Sequence, residues 1–168
     1  FNLQTDGSNY QDIMIKAGGM KNKINTSSLV EKEIEEGICR NDLQMKLDGA
    51  KIFNFALREV AKNLEELISK KNISKQYIDF TIFHQANKLM LESVRKKFNF
   101  PSNQTPYSLY EFGNSSSASI PLTMVTKLRT EMTEKKLNLL LSGFGVGLSW
   151  GSVFLQTESC ICLPIIEI

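Results

Sequence analysis

The chain of 168 residues contains one histidine, one tryptophan, three cysteines and four prolines, and its charges nearly cancel: 20 Lys+Arg against 18 Asp+Glu, a formal net charge of +2. Each shortage excludes something. Cys39, Cys160 and Cys162 do not make a disulfide framework, so a reducing, cytoplasmic setting is expected. Near-neutrality leaves no case for nucleic acid or a charged membrane surface as partner, since such partners usually leave a basic stripe. No apolar run approaches the length of a membrane span, and no secretory leader pattern opens the chain. No metal site and no cofactor are expected. What is present, 42% apolar and 23% charged residues, is ordinary for one globular domain with a sizeable core. The start at Phe1-Asn2-Leu3, without methionine, reads as part of a longer protein.

The polar beginning, with Asp6-Gly7-Ser8-Asn9 and Gly18-Gly19, predicts a short strand end, a turn, and a second short strand near Gln11–Lys16. Residues 20–41, rich in glutamate, read as a solvated connection. Leu43, Met45 and Leu47 alternate with Gln44 and Lys46, which predicts a strand closed by Asp48-Gly49. Phe53, Ala56, Leu57, Val60, Leu64, Leu67 and Ile68 recur at helical spacing and predict an amphipathic helix over about 50–71. Ile78–Phe83 reads as a buried strand ending at His84, followed by a helix over Asn87–Phe98 that Pro101 closes. Thr105–Tyr110 reads as a strand, Gly113-Asn114 as a turn, and Ser115–Met132 as a helix. Leu137–Leu141 and Ser149–Gln156 are the last strands, joined by a turn at Gly143, Gly145 and Gly147. The order βαβαβαββ predicts an α/β fold: a mixed five-stranded sheet with helices on its faces. Residues 1–41 are expected to be the remnant of a preceding element and a connection, 42–157 the domain, and 158–168 a tail.

Three strand ends in that sheet carry groups able to do chemistry. His84 sits where open α/β sheets bind ligands, outside the carboxyl end of a strand; the plainer alternative is a satisfied strand-end histidine. Asn114 lies at a strand-to-helix junction, where a cap is its commonest use. The Gly143–Gly147 turn can aim main-chain amides at an oxyanion, or be only a hairpin turn. It is not a phosphate-binding loop, because no helix with Lys-Ser/Thr follows. Taken together, a neutral histidine, a carboxamide and a glycine turn can stabilise a developing enolate and a thioester oxyanion.

His84-Gln85-Ala86-Asn87, then Glu111-Phe112-Gly113-Asn114-Ser115-Ser116-Ser117-Ala118-Ser119-Ile120-Pro121, then Gly143-Phe144-Gly145-Val146-Gly147-Leu148-Ser149-Trp150-Gly151-Ser152 resemble, in this order and spacing, the β-ketoacyl-ACP synthase III family. The likeness runs from about residue 3 to residue 157 and lies with that family's C-terminal half. It implies a thiolase-like fold and a decarboxylative Claisen condensation of an acyl thioester with malonyl-ACP in fatty acid biosynthesis. It implies that His84 and Asn114 donate hydrogen bonds to the malonyl thioester oxygen, and that the amide of Val146, between Gly145 and Gly147, serves the acyl oxyanion. It implies that Gln85, Ala86, Asn87, Lys88 and Leu89 meet the acyl carrier protein. Acyl-CoA, malonyl-ACP, an N-terminal half and a second copy in a homodimer are the implied partners.

The chain departs from the family in several places. Val146 stands where many members have glycine, Lys88-Leu89 displaces the usual basic residue by one position, and Asp48-Gly49-Ala50 lacks an expected asparagine. No cysteine sits in a nucleophile setting; Cys39, for example, lies in an acidic stretch unsuited to a thiolate. The nucleophile is therefore expected in another part of the protein, and the chain alone is expected to be inactive. The alternatives are a non-catalytic thiolase-like docking or dimerisation module, and a related thioester-using enzyme such as an HMG-CoA synthase or an acyltransferase of secondary metabolism.

Overall fold

Strand β1 (Asn2–Thr5) leads through a 3-10 turn (Gly7–Asp12) to β2 (Ile13–Ile15), and the Asp6 carboxylate caps that turn by accepting the Ser8 amide at 2.8 Å. The structure is a computed structural model and describes residues 1–166. Where a solvated connection was expected, β3 (Lys32–Glu35) and β4 (Ile38–Arg40) form a hairpin. Its tip is closed by the Gly37 amide, which donates to Glu33 Oε1 at 2.9 Å. Strand β5 (Met45–Leu47) then pairs with β2 as a separate two-stranded ribbon.

The helical stripe is borne out as one rod: α1 (Gly49–Phe55), a π-helical turn (Ala56–Val60) and α2 (Ala61–Lys70). Asp48 caps it by accepting the Lys51 amide at 3.1 Å. Spacings of three and four residues put Ile52, Phe55, Ala56, Val60, Leu64 and Leu67 on one face, and all are buried. There follow β6 (Phe80–Phe83), α3 (Lys88–Lys97), the single turn α4 (Leu109–Phe112), a 3-10 turn (Ser116–Ala118), α5 (Ser119–Lys127), α6 (Arg129–Glu134), β7 (Leu137–Gly145) and β8 (Ser149–Thr157).

The main sheet has the order β1-β8-β7-β6, with β6 and β7 parallel and the other pairs antiparallel. Period-two alternation splits its side chains between two cores. Phe83 and Leu140 face the core under α1, α2 and α3, while Ile82 and Leu139 face Leu128 and Met132. Helices thus cover both faces, as an α/β fold requires.

The sheet has four strands among the described residues, not five, and three elements account for the difference. The strand expected at Leu43–Leu47 is β5 and lies outside this sheet. Thr105–Tyr110 is not a strand. Pro106 has no amide to give, the Ser108 amide goes to Gln85 Oε1 at 3.1 Å, the Thr105 hydroxyl turns back to the Pro101 carbonyl at 3.1 Å, and from Leu109 the chain coils into α4. The alternation there had no partner strand to pair with. The segment expected to precede the domain instead contributes β1 as an edge of the same sheet. The helix expected over Ser115–Met132 is interrupted at Leu128 between α5 and α6.

Beyond β8 the chain lies along α6: the Cys160 amide donates to the Met132 carbonyl and Arg129 Nε donates to the Cys162 carbonyl, both at 2.9 Å. Glu167 and Ile168, the end of the expected tail, lie outside the described residues. No helix among the described residues is long and apolar enough to cross a membrane.

Candidate functional site

Because β6 and β7 are parallel, their carboxyl ends reach the same edge of the sheet. His84 continues the ladder past β6, its amide donating to the Ser142 carbonyl at 2.8 Å. Two residues beyond Ser142, the Phe144 ring stands edge-on to the imidazole, with centroids 5.4 Å apart and planes at 81°. The hairpin turn that follows is clamped from below: Asp6 and Leu148 exchange two main-chain hydrogen bonds of 2.9 Å. Gly147 is at φ +135°, and a Cβ there would stand 2.5 Å from Ser149 Oγ, so the turn needs glycine at this position. Gly145 is half-buried, and the Val146 side chain is exposed.

Asn114 arrives from the other side. Gly113, which ends α4 at φ 60° and ψ −154°, reverses the chain in a conformation essentially reserved for glycine. Asn114 is exposed, and its Oδ1 accepts the Ser116 amide at 3.0 Å, forming an Asx turn. That bond uses the oxygen and leaves the Nδ2 protons for another acceptor. Ser116 is a non-glycine residue at φ 53°, a conformation that gathers at functional sites. The same short segment therefore reaches both candidate side chains: the Ser116 amide holds Asn114, and Ser119 Oγ bonds the His84 ring.

Burial holds the His84 pKa below the ordinary 6.5, against the smaller opposing pull of the Ser116 carbonyl, which favours a proton on the ring. The imidazole is accordingly neutral at pH 7, with one N–H donor and one acceptor nitrogen. Its Nδ1 is 2.7 Å from Ser119 Oγ.

The stretch expected to meet a carrier protein divides. Gln85 is fully buried: Nε2 donates to the Phe83 carbonyl at 2.8 Å and Oε1 accepts the Ser108 amide. It cannot meet a partner, which corrects that expectation; a carboxamide with both ends satisfied can sit in a core without cost. Ala86 is half-buried against the same core. Asn87 is exposed but spends its Oδ1 on the Met90 amide, capping α3. Lys88 and Leu89 are exposed, with the Lys88 ammonium 5.2 Å from the Tyr110 ring centroid.

The three cysteines lie elsewhere, Cys39 exposed on β4 and Cys160 and Cys162 beside α6. Among the described residues no cluster of three or more His, Cys, Asp or Glu could hold a metal ion. Two grooves, one between Asp6 and Trp150 and one between Tyr10 and Lys46, are lined by neither His84 nor Asn114. Sequence reasoning missed the roles of Phe144, Ser116 and Ser119 around the imidazole. Their only signal was their presence in the motifs, because contact across distant segments leaves no periodicity.

The family model described as 3-oxoacyl-[acyl-carrier-protein (ACP)] synthase III C terminal matches residues 68–157. The chain is similar to the β-ketoacyl-[acyl-carrier-protein] synthase III of Streptococcus agalactiae serotype III (strain NEM316), at 32% identity over 156 residues, covering 92% of this chain and 45% of that protein. Its structure superposes on the 3-oxoacyl-(acyl-carrier protein) synthase of Burkholderia xenovorans LB400 with a TM-score of 0.85 at 32% identity, covering 97% of this chain and 45% of that one. The priming β-ketosynthase of the R1128 polyketide pathway shares the fold at 18% identity, with a TM-score of 0.74, covering 94% of this chain and 44% of that one. The chain spans less than half the length of these relatives.

Proposed function

Since the chain belongs to the 3-oxoacyl-ACP synthase III family and has its thiolase-like α/β fold, we propose that it supplies the decarboxylation half of a condensing site: an acyltransferase that joins an acyl thioester to malonyl-ACP in fatty acid biosynthesis. The malonyl thioester loses CO₂, and the electron pair of the broken C–C bond moves into an enolate. The ring N–H of His84 and Nδ2 of Asn114 donate to the thioester oxygen where that charge develops. The enolate carbon then attacks the acyl carbon of an acyl-cysteine, and the cysteine thiolate leaves. The Val146 amide, in the turn between Gly145 and Gly147, serves the acyl oxyanion at that step.

The acyl-carrying cysteine comes from outside these 168 residues. Lys88 and Leu89, with Asn87 beside them, form the part of the expected carrier-protein contact that is exposed. A cytoplasmic homodimer using acyl-CoA and malonyl-ACP without a cofactor completes the reading.

The observation that carries it is the 2.7 Å hydrogen bond between His84 Nδ1 and Ser119 Oγ, which ties a neutral imidazole to the segment that begins at Asn114, whose Nδ2 protons are left for another acceptor. The test is covalent labelling with acyl-CoA. The 168-residue chain takes up no acyl group on its own cysteines, while the full-length protein does so and releases CO₂ from malonyl-ACP. Catalytic acylation of Cys39, Cys160 or Cys162 contradicts the assignment.

A further inference from the structure

Ser119 opens α5 with only 1% of its surface exposed, and its Oγ lies 2.7 Å from His84 Nδ1. A serine at a helix start ordinarily spends its oxygen on a nearby main-chain amide. Ser119 instead spends it on a side chain that arrives from β6. Among the described residues Nδ1 is the only hydrogen-bond partner of this hydroxyl. A buried O–H without an acceptor is unfavourable, so the proton of Ser119 points at Nδ1.

A buried polar chain holds the serine in place. Ser108, Thr123 and Gln85 are all at most 1% exposed. Thr123 Oγ1 donates to the Ser119 carbonyl at 2.7 Å, which leaves Ser108 Oγ to donate to Thr123 Oγ1 at 2.6 Å. The Ser108 amide in turn donates to Oε1 of Gln85, whose Nε2 is anchored on the Phe83 carbonyl. The chain of bonds therefore starts beside His84 in sequence, crosses to α5, and returns to the imidazole. Its order fixes the first turn of α5 against the end of β6.

We propose that Ser119 is a positioning residue that donates its hydroxyl proton to Nδ1 of His84 and so places the single imidazole proton on Nε2. The inference rests on the role proposed above for His84: with the proton on Nε2 the ring is a donor toward substrate, and with the proton on Nδ1 it is an acceptor that cannot stabilise an enolate oxygen.

The test reads the tautomer directly. Imidazole ¹⁵N–¹H correlation spectra of the full-length protein, with the His84 signals assigned by their loss in His84→Gln, should show one neutral form protonated at Nε2. Ser119→Ala should give a mixture of both tautomers and roughly tenfold slower malonyl decarboxylation, with KM for malonyl-ACP and acylation of the cysteine little changed. Ser119→Thr, which keeps the hydroxyl, should restore the single form. If Ser119→Ala leaves the tautomer unchanged, or the wild-type ring is protonated at Nδ1, the proposal is overturned whatever the activity. If the tautomer responds as stated but His84→Gln leaves decarboxylation intact, the proposed function fails and the positioning role stands.

Discussion

Phe144 and His84 meet edge to face, 5.4 Å between ring centroids, at the common carboxyl end of two parallel strands. This contact brings the hairpin turn of β7 and β8 beside the imidazole, and the bond from Ser119 Oγ to His84 Nδ1 brings there the segment that begins at Asn114. Three segments far apart in the chain thus form one wall.

Removal of either proposed donor tests the division of labour. In the full-length protein, His84→Ala or Asn114→Ala should slow malonyl decarboxylation by roughly 10²–10³-fold, the effect of losing one oxyanion donor. Acylation of the cysteine should fall much less. Radiometric CO₂ release and acyl labelling, measured on the same preparations, separate the two steps.

The buried ring fixes a pH dependence. In the unfolded chain His84 binds its proton near the ordinary value of 6.5, and in the folded chain only at lower pH. Between those two midpoints the unfolded state holds more protons, so stability falls as pH drops through the window. An NMR titration should place the His84 midpoint below 6.5. Denaturant unfolding should lose more stability between pH 7.5 and 5.5 in wild type than in His84→Gln.

A second pH effect lies lower and has the opposite cause. Arg95 and the Tyr107 hydroxyl hold the Glu92 carboxylate down to about 2, with Arg95 Nη2 at 2.8 Å and Tyr107 Oη at 2.6 Å. Its stabilisation is complete above the ordinary value of 4.5 and is lost as pH falls toward 2. Glu92→Gln should cost about 1–2 kcal/mol at pH 7, at the low end for bonds to a charged group because the side chains are partly exposed. The difference from wild type should shrink steadily below pH 4.5 in urea unfolding.

Gly113→Ala should destabilise by about 1–3 kcal/mol although nothing stands where its Cβ would go. The cost is conformational, since the backbone at this residue is open only to glycine. Thermal unfolding measures it, and decarboxylation should fall with it because Asn114 follows directly.

Lys88→Glu should weaken binding of an acidic carrier protein several-fold, with the loss fading at high salt, because the residue is exposed and screened. Gln85→Glu should instead lower stability, since it places a charge at a fully buried carboxamide. Surface plasmon resonance and thermal melts on the two variants distinguish a contact residue from a core residue.

What the sequence made legible followed from local pattern. The stripe from Ile52 to Leu67 obeys helical spacing because one face of a rod must be buried, and the apolar run before His84 reads as a strand because both its faces are covered. Thr105–Tyr110 misled because alternation shows that a segment can be extended, not that a neighbour offers a ladder. Gln85 misled because its satisfaction depends on Ser108, a residue 23 positions away. Ser119 was invisible for the same reason: a buried serine facing an imidazole and an exposed serine capping a helix look identical in the chain.

The central claim is that His84 and Asn114 act on one oxygen. A crystal structure of the full-length protein with a non-hydrolysable malonyl thioester bound measures this most directly. The account predicts the thioester oxygen within about 2.7–3.2 Å of both the imidazole Nε2 and Asn114 Nδ2. A malonyl group seated in the site with that oxygen touching neither side chain, or held by other groups altogether, would contradict it.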